Sequence, residues 1–151
     1  MQHLFDITRT SRNTLSQFFE SYNMEQLNAV PEGFNNNIIW NIGHIIVVQQ
    51  LLVYNLSGLP MLVSNEMVQK YKRGTKPEMD ATQEEVAKIK SLLFETIHQT
   101  EVDFNYGIFK NYKEFTPIAG VTMKSVQDAI SFNSYHEGVH NGIIMGIRKF
   151  I

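Results

Sequence analysis

Apolar residues recur three or four positions apart in four stretches of the chain, which is the spacing of amphipathic helices. In the first stretch, Leu4, Ile7, Ser11, Leu15, Phe18 and Tyr22 form the inward stripe of a helix that ends near Tyr22. A polar segment with Pro31, Gly33 and Asn35-Asn36-Asn37 then breaks the pattern, and an asparagine just before Ile38 suits the N-cap of the next helix. That second helix, about Ile38 to Leu56, carries two stripes. One is Ile38, Ile42, Ile45, Leu52 and Leu56; the other is Trp40, His44, Val47, Leu51 and Tyr54. A helix apolar nearly all round is either central to its domain or covered by a second subunit. The central position is the expectation, and it leaves room for a homodimer.

Ser57-Gly58-Leu59-Pro60 ends the second helix, and the segment to Asp80 is too long for an ordinary bundle connection. It is expected to hold a short helix capped by Ser64 and stopped at Gly74. Thr82 and Glu85 form a capping-box pattern, and Val86, Ile89, Leu93, Ile97 and Thr100 continue it as the third helix. An aromatic-rich connection follows from Asp103 to Val121, with Phe104, Tyr106, Phe109, Tyr112 and Phe115, closed by Pro117 and Gly120. Thr122 is the expected cap of a last helix running to about Lys149. No strand-like alternation competes. The expected fold is all-α, a four-helix bundle with long crossover connections, as one domain over residues 1–151.

Composition narrows the chemistry. A chain of 151 residues without cysteine has no disulfide framework, thiolate metal site or thiol nucleophile, which leaves its five histidines as the soft ligands. Thirteen basic against fifteen acidic residues provide no basic field for a phosphate backbone, so nucleic acid is not an expected partner. Asn41, His44, Gln49, Gln50 and Asn55 interrupt the most apolar segment and argue against a membrane span. The start Met1-Gln2-His3-Leu4-Phe5-Asp6 lacks a signal-peptide pattern, and the cytoplasm is the expected compartment.

On the last predicted helix, Val126, Ala129, Asn133, His136, His140, Ile143 and Ile147 form one stripe whose apolar ends should face the core. Its middle should therefore face inward as well, placing His136 and His140 one turn apart, roughly 5–6 Å between β-carbons. Two imidazoles so placed suit a single ion. His44 lies mid-stripe on the second helix. His98 falls off the main stripe and His3 lies at a terminus, and neither is given a role. His136-Glu137-Gly138-Val139-His140 also matches the His-Glu-x-x-His pattern of zinc metallopeptidases. Only Asn141 to Ile151 follows it, however, with no His, Asp or Glu to complete a ligand set. The peptidase reading is set aside.

Trp40-Asn41-Ile42-Gly43-His44 on the second helix and His136-Glu137-Gly138-Val139-His140-Asn141-Gly142 on the last together resemble the DinB/YfiT-like superfamily, over nearly the whole chain. The resemblance implies a four-helix bundle, often a homodimer, in which His44, His136 and His140 bind one divalent metal. Zinc or nickel is the expected ion, with iron or manganese as alternatives. The family often has Arg-Gly-Gln after the last histidine, where this chain has Asn141-Gly142-Ile143, so activity depending on that Arg or Gln is not implied.

Three protein ligands leave a coordination position open, as in catalytic sites. Among family members of known activity, the resemblance implies activation of a low-molecular-weight thiol for transfer or isomerisation, with hydrolysis suggested for others. The expectation is a metal-dependent transferase or hydrolase acting on a small-molecule substrate. The alternative is a non-enzymatic bundle stapled by the ion and acting through a dimer or partner surface. With no cysteine in the chain, any sulfur must come from a separate thiol cosubstrate. Trp40, Asn41, Asn133 and Glu137 are the candidate pocket residues. Each also has a structural reading: Trp40 as core, Asn41 and Asn133 as groups supporting the ligands or capping, and Glu137 as a solvated surface charge. The 103–121 connection is left open between a pocket mouth and a packed lid.

Overall fold

Helix boundaries in the computed structural model, which covers residues 1–151, follow from local capping chemistry. The first helix, α1 (Gln2–Ser21), has no side-chain cap and ends where Tyr22 turns extended. The polar stretch beyond it contains α2 (Met24–Asn28), a helix too short for periodicity to reveal. A reciprocal capping box holds it: Asn23 accepts from the Gln26 N–H, and the Gln26 side chain accepts from the Asn23 N–H. Asn37 caps α3 (Ile38–Val53) as expected, accepting from the Trp40 N–H at 2.7 Å. A 3-10 turn at Asn55–Ser57 completes that run.

Ser64 caps α4 (Asn65–Tyr71), and Gly74, at φ 89°, forms part of the turn beyond it. Thr82 caps α5 (Gln83–Asn105), but its box is one-sided, because Tyr71 Oη and Lys70 Nζ hold the Glu85 carboxylate. The last helix, α6 (Val126–Ile147), corrects the expected cap. Ser125 accepts from the Asp128 N–H, whereas the Thr122 hydroxyl pairs with that of Thr116. Between α5 and α6 the chain forms one isolated antiparallel bridge, Phe115 with Met123.

α1 packs against α5 and α6, and α3 packs against the same two, so the four long helices form a ring with α1 and α3 on one diagonal. Fourteen of the sixteen α3 residues are buried by this chain alone. The segment Ile38–Ser57 is long and apolar enough to cross a membrane, but its burial within the bundle marks it as a core helix. Gly43 has a specific purpose: a Cβ there would lie 2.6 Å from Tyr71 Cδ1, so the glycine lets the α4 ring rest on α3.

Two apolar clusters fill the bundle. The larger runs from Leu15 and Phe18 through Ile38–Val47 to Ile144 and Ile147; the smaller gathers Phe5, Leu52, Ile97, Met123 and Val126. Each long helix carries buried polar residues at the level between them: Thr8 and Arg12 on α1, Gln49 and Gln50 on α3, Thr96 on α5, and Asn133, Glu137 and His140 on α6. The α1 stripe is thus turned relative to the expected one. Phe5, Thr8 and Arg12 point inward, and Ile7 is exposed.

Candidate metal centre

His44 on α3 meets His136 and His140 on α6, and one ring nitrogen from each lies within 4.8 Å of the other two. The ring centroids are 4.6–5.2 Å apart. Hydrogen bonding fixes how two of the rings present themselves. His44 Nδ1 lies 2.6 Å from the Tyr71 carbonyl oxygen, which only accepts, so Nδ1 carries the proton and Nε2 keeps its lone pair. His140 Nδ1 lies 2.7 Å from Asn41 Oδ1. The Asn41 amide cannot turn round, because its Nδ2 donates to the Asn37 carbonyl at 2.7 Å and to Asn36 Oδ1 at 2.9 Å. His140 therefore also donates through Nδ1 and frees Nε2. His136 Nδ1 is buried with no hydrogen-bond partner. Trp40 stacks on His44 at 4.7 Å, and Phe132 lies against His136 at 6.5 Å.

The cluster is uncharged at neutral pH. Burial pushes the His136 pKa down to about 4, with the His44 charge adding to the effect. It pushes His140 down to about 3, helped by repulsion from His136 and His44. His44 is lowered too, by burial, which outweighs the rise from its bond to the Tyr71 carbonyl, with Arg73 adding the least of the three effects. The residues fit an imidazole-binding divalent ion on four counts. Three neutral donors converge, two are held in the tautomer that frees Nε2, no carboxylate joins the group, and His136 Nδ1 has no protein partner.

A cavity of about 470 Å³ opens onto all three histidines. Trp40, Leu51, Leu52 and Phe132 form its walls from the helices, and Phe115, Pro117 and Ile118 close it from the connection. The aromatic connection, left open from sequence, divides: residues 115–119 form a pocket wall, while Phe104, Phe109 and Tyr112 pack against the smaller apolar cluster.

Three of the four candidate pocket residues, Asn41, Asn133 and Glu137, do not line this cavity. Glu137 is not a solvated surface charge, since its carboxylate is fully buried in an ion pair with Arg12 at 2.8 Å. Ser11 and Asn133 also donate to it, at 3.3 and 2.9 Å. Arg12 in turn donates to the Leu93 carbonyl and to Thr96 Oγ1 on α5. The α6 helix thus has two buried faces: the histidines turn toward α3, and Glu137 turns toward α1 and α5. A glutamate neutralised by an arginine and directed away from the histidines is not the general base of a metallopeptidase. Asn133 serves Glu137, and Asn41 is the asparagine that supports a histidine. Asn141 donates to Ser11 Oγ at 2.7 Å. His3 and His98 are exposed and do not belong to the cluster.

Periodicity misses three contributors. Arg12 sits at the inward α1 position next to the predicted Ser11, and its charge hides the face it occupies. The Tyr71 carbonyl is main chain and has no sequence signal. Arg73, on the turn after α4, lines the cavity only because that turn folds back onto α3.

Together these features define a four-helix bundle whose polar middle layer presents three neutral histidines to a solvent-connected pocket. The family model described as the DinB superfamily matches residues 7–144, and the chain belongs to that superfamily. No curated protein matches it.

Proposed function

We propose that His44, His136 and His140 hold one divalent metal ion, zinc or nickel, and that the protein is a metal-dependent transferase or hydrolase acting on a small molecule. The observation that carries this reading is the convergence of three neutral imidazoles on an open cavity with no fourth protein ligand beside them. A divalent ion in such a site supplies Lewis acidity that brings the pKa of a thiol or water toward neutrality. The chain's own residues supply the rest. The Tyr71 carbonyl and Asn41 orient two ligands and strengthen them as donors, Trp40 and Phe132 fix the rings by stacking, and the apolar walls limit water around the reacting group. Because the chain contains no cysteine, a thiol reaction needs a thiol from solution.

Elemental analysis of the purified protein tests the site. One divalent ion per chain is expected, with stoichiometric metal lost in His136→Ala and in His140→Ala; unchanged metal in both variants refutes the assignment. A screen with low-molecular-weight thiols plus electrophiles, and with hydrolysable esters and amides, then tests the chemistry. Stoichiometric metal with no turnover in either arm would favour an ion that staples α3 to α6.

A further inference from the structure

The cavity lining is chemically lopsided. Apart from the histidines it presents Trp40, Asn36 and an apolar surface from Val48, Leu51, Leu52, Phe115, Ile118 and Phe132. Arg73, exposed at the rim, is the one ionised side chain among the lining residues, and none of the chain's fifteen acidic residues lines the cavity. The rest of this wall is packing, and the cation at its rim gives the apolar pocket one charged end.

Arg73 is also free and firmly mounted. It takes part in none of the chain's five ion pairs, although Arg9, Arg12, Lys70 and Lys90 all do. Its segment is pinned to the bundle at two points. The Tyr71 carbonyl, two residues before it, takes the His44 Nδ1 proton, and Trp40 Nε1 donates at 3.1 Å to Thr75 Oγ1, two residues after it. Thr75 Oγ1 lies 2.7 and 2.8 Å from the Lys70 and Lys72 carbonyls, which closes the turn on itself. The backbone that carries the guanidinium is therefore tied to the same helix that carries His44. Arg73 lies near enough to that ring for its charge to be felt there.

We infer that Arg73 is a specificity residue, and that the cavity takes a small organic anion whose apolar body lies along the Leu51, Phe115 and Phe132 walls while its carboxylate pairs with the Arg73 guanidinium. A guanidinium presents paired N–H donors that match a carboxylate in the plane, and the apolar walls lower the water content around the pair once the ligand is seated. This deepens the proposed function: it names the charge and shape of the substrate, and rests on that reading only for the reaction at the histidine end.

Trp40 lines the cavity and is the only tryptophan in the chain, so its emission reports occupancy directly. Hexanoate and 1-hexanol, alike in length and different in charge, are titrated into the purified protein, as isolated and after chelator treatment, with calorimetry as a second readout. Hexanoate is expected to bind at least about fivefold more tightly than hexanol, a partly exposed charge-assisted pair being worth that much. Arg73→Gln is expected to remove the preference in both preparations, Arg73→Lys to retain part of it, and added salt to shrink it. Equal affinity for the two probes, no binding of either, or a preference that survives Arg73→Gln overturns the inference. Metal content measured on the same samples separates the two claims. An Arg73-dependent charge preference in protein that holds no metal as isolated upholds the anion site and removes the metal reading; stoichiometric metal as isolated, without such a preference, does the reverse.

Discussion

Glu137 and the histidines on either side of it are neighbours in sequence and belong to different chemistries. The glutamate completes a buried ion pair with Arg12, and both side chains are withdrawn from solvent. Removing one charge of such a pair strands the other, which costs about 3–5 kcal/mol. Glu137→Gln is therefore expected to lower the stability measured by urea unfolding by roughly that amount, while leaving metal content unchanged in the folded protein. A metal content that falls with the Gln substitution would tie Glu137 to the ion after all. The histidines give a pH signature of opposite origin. Their folded-state pKa values are depressed, to about 4 for His136 and about 3 for His140, below the ordinary 6.5. As pH falls below 6.5 the unfolded chain takes up protons that the folded chain refuses. Their contribution is thus fully present above pH 6.5 and is lost progressively as pH falls toward the folded values. For chelator-treated protein the urea midpoint is expected to drop between pH 7.5 and 5.5, above the carboxylate range, and to drop less in His140→Asn. A midpoint that is flat over that window contradicts the neutral, buried cluster.

At the scale of elements, the four long helices were legible because each repeats its apolar spacing over several turns, with Asn37 and Thr82 as cap signals for α3 and α5, and the short α4 was legible from its cap Ser64. What sequence could not show is the rotation of a helix by one position. On α1, Ser11 and Arg12 compete for one place in the stripe, and a charged residue is normally assigned to solvent; only a partner on α6 makes Arg12 the inward one. On α6 the same ambiguity sends Glu137 inward with His140 and leaves His136 half-buried at the cavity edge. Thr122 and Ser125 are equivalent caps by residue type; the Thr122 hydroxyl is taken by Thr116 six residues earlier, and Ser125 is the residue whose hydroxyl reaches the α6 backbone. The three histidines themselves were legible from stripe position and motif together. Their orientation was not, since it depends on how α4 sits against α3. Gly43 governs that contact. Gly43→Ala gains about 1 kcal/mol of helix propensity, against an overpacking cost of about 1–3 kcal/mol where the new methyl meets the Tyr71 ring. The fold is expected to survive. With Tyr71 displaced, its carbonyl loses register with His44 Nδ1, and metal affinity is expected to fall about tenfold or more in a competition titration with a chromogenic chelator. Unaltered affinity in a folded Gly43→Ala protein would separate α4 from the site.

For the molecule as a whole, the decisive feature is a polar layer held between two apolar clusters. Arg12, Glu137, Asn133 and Thr96 close that layer on the α1–α5 side, where every charge is matched. On the α3 side the same layer ends in three histidines and a cavity, and the connection from Tyr106 to Ser125 covers it. That connection is anchored and exposed at once. Met123 is fully buried in the smaller cluster and its backbone pairs with that of Phe115, at 2.9 and 3.1 Å, while Ile118 between them is 79% exposed. The two residues should therefore fail differently. Met123→Ala removes a buried side chain and is expected to cost about 2–5 kcal/mol in urea unfolding, because the cluster beneath the wall loses its filling. Ile118→Ser lies on the surface and is expected to change stability by less than about 0.5 kcal/mol, yet it removes apolar surface from the cavity and should weaken hexanol binding reported by Trp40. If instead Ile118→Ser destabilised the bundle as much as Met123→Ala, the connection would be part of the core, and the cavity beside the histidines would be a packing gap with no room reserved for a ligand.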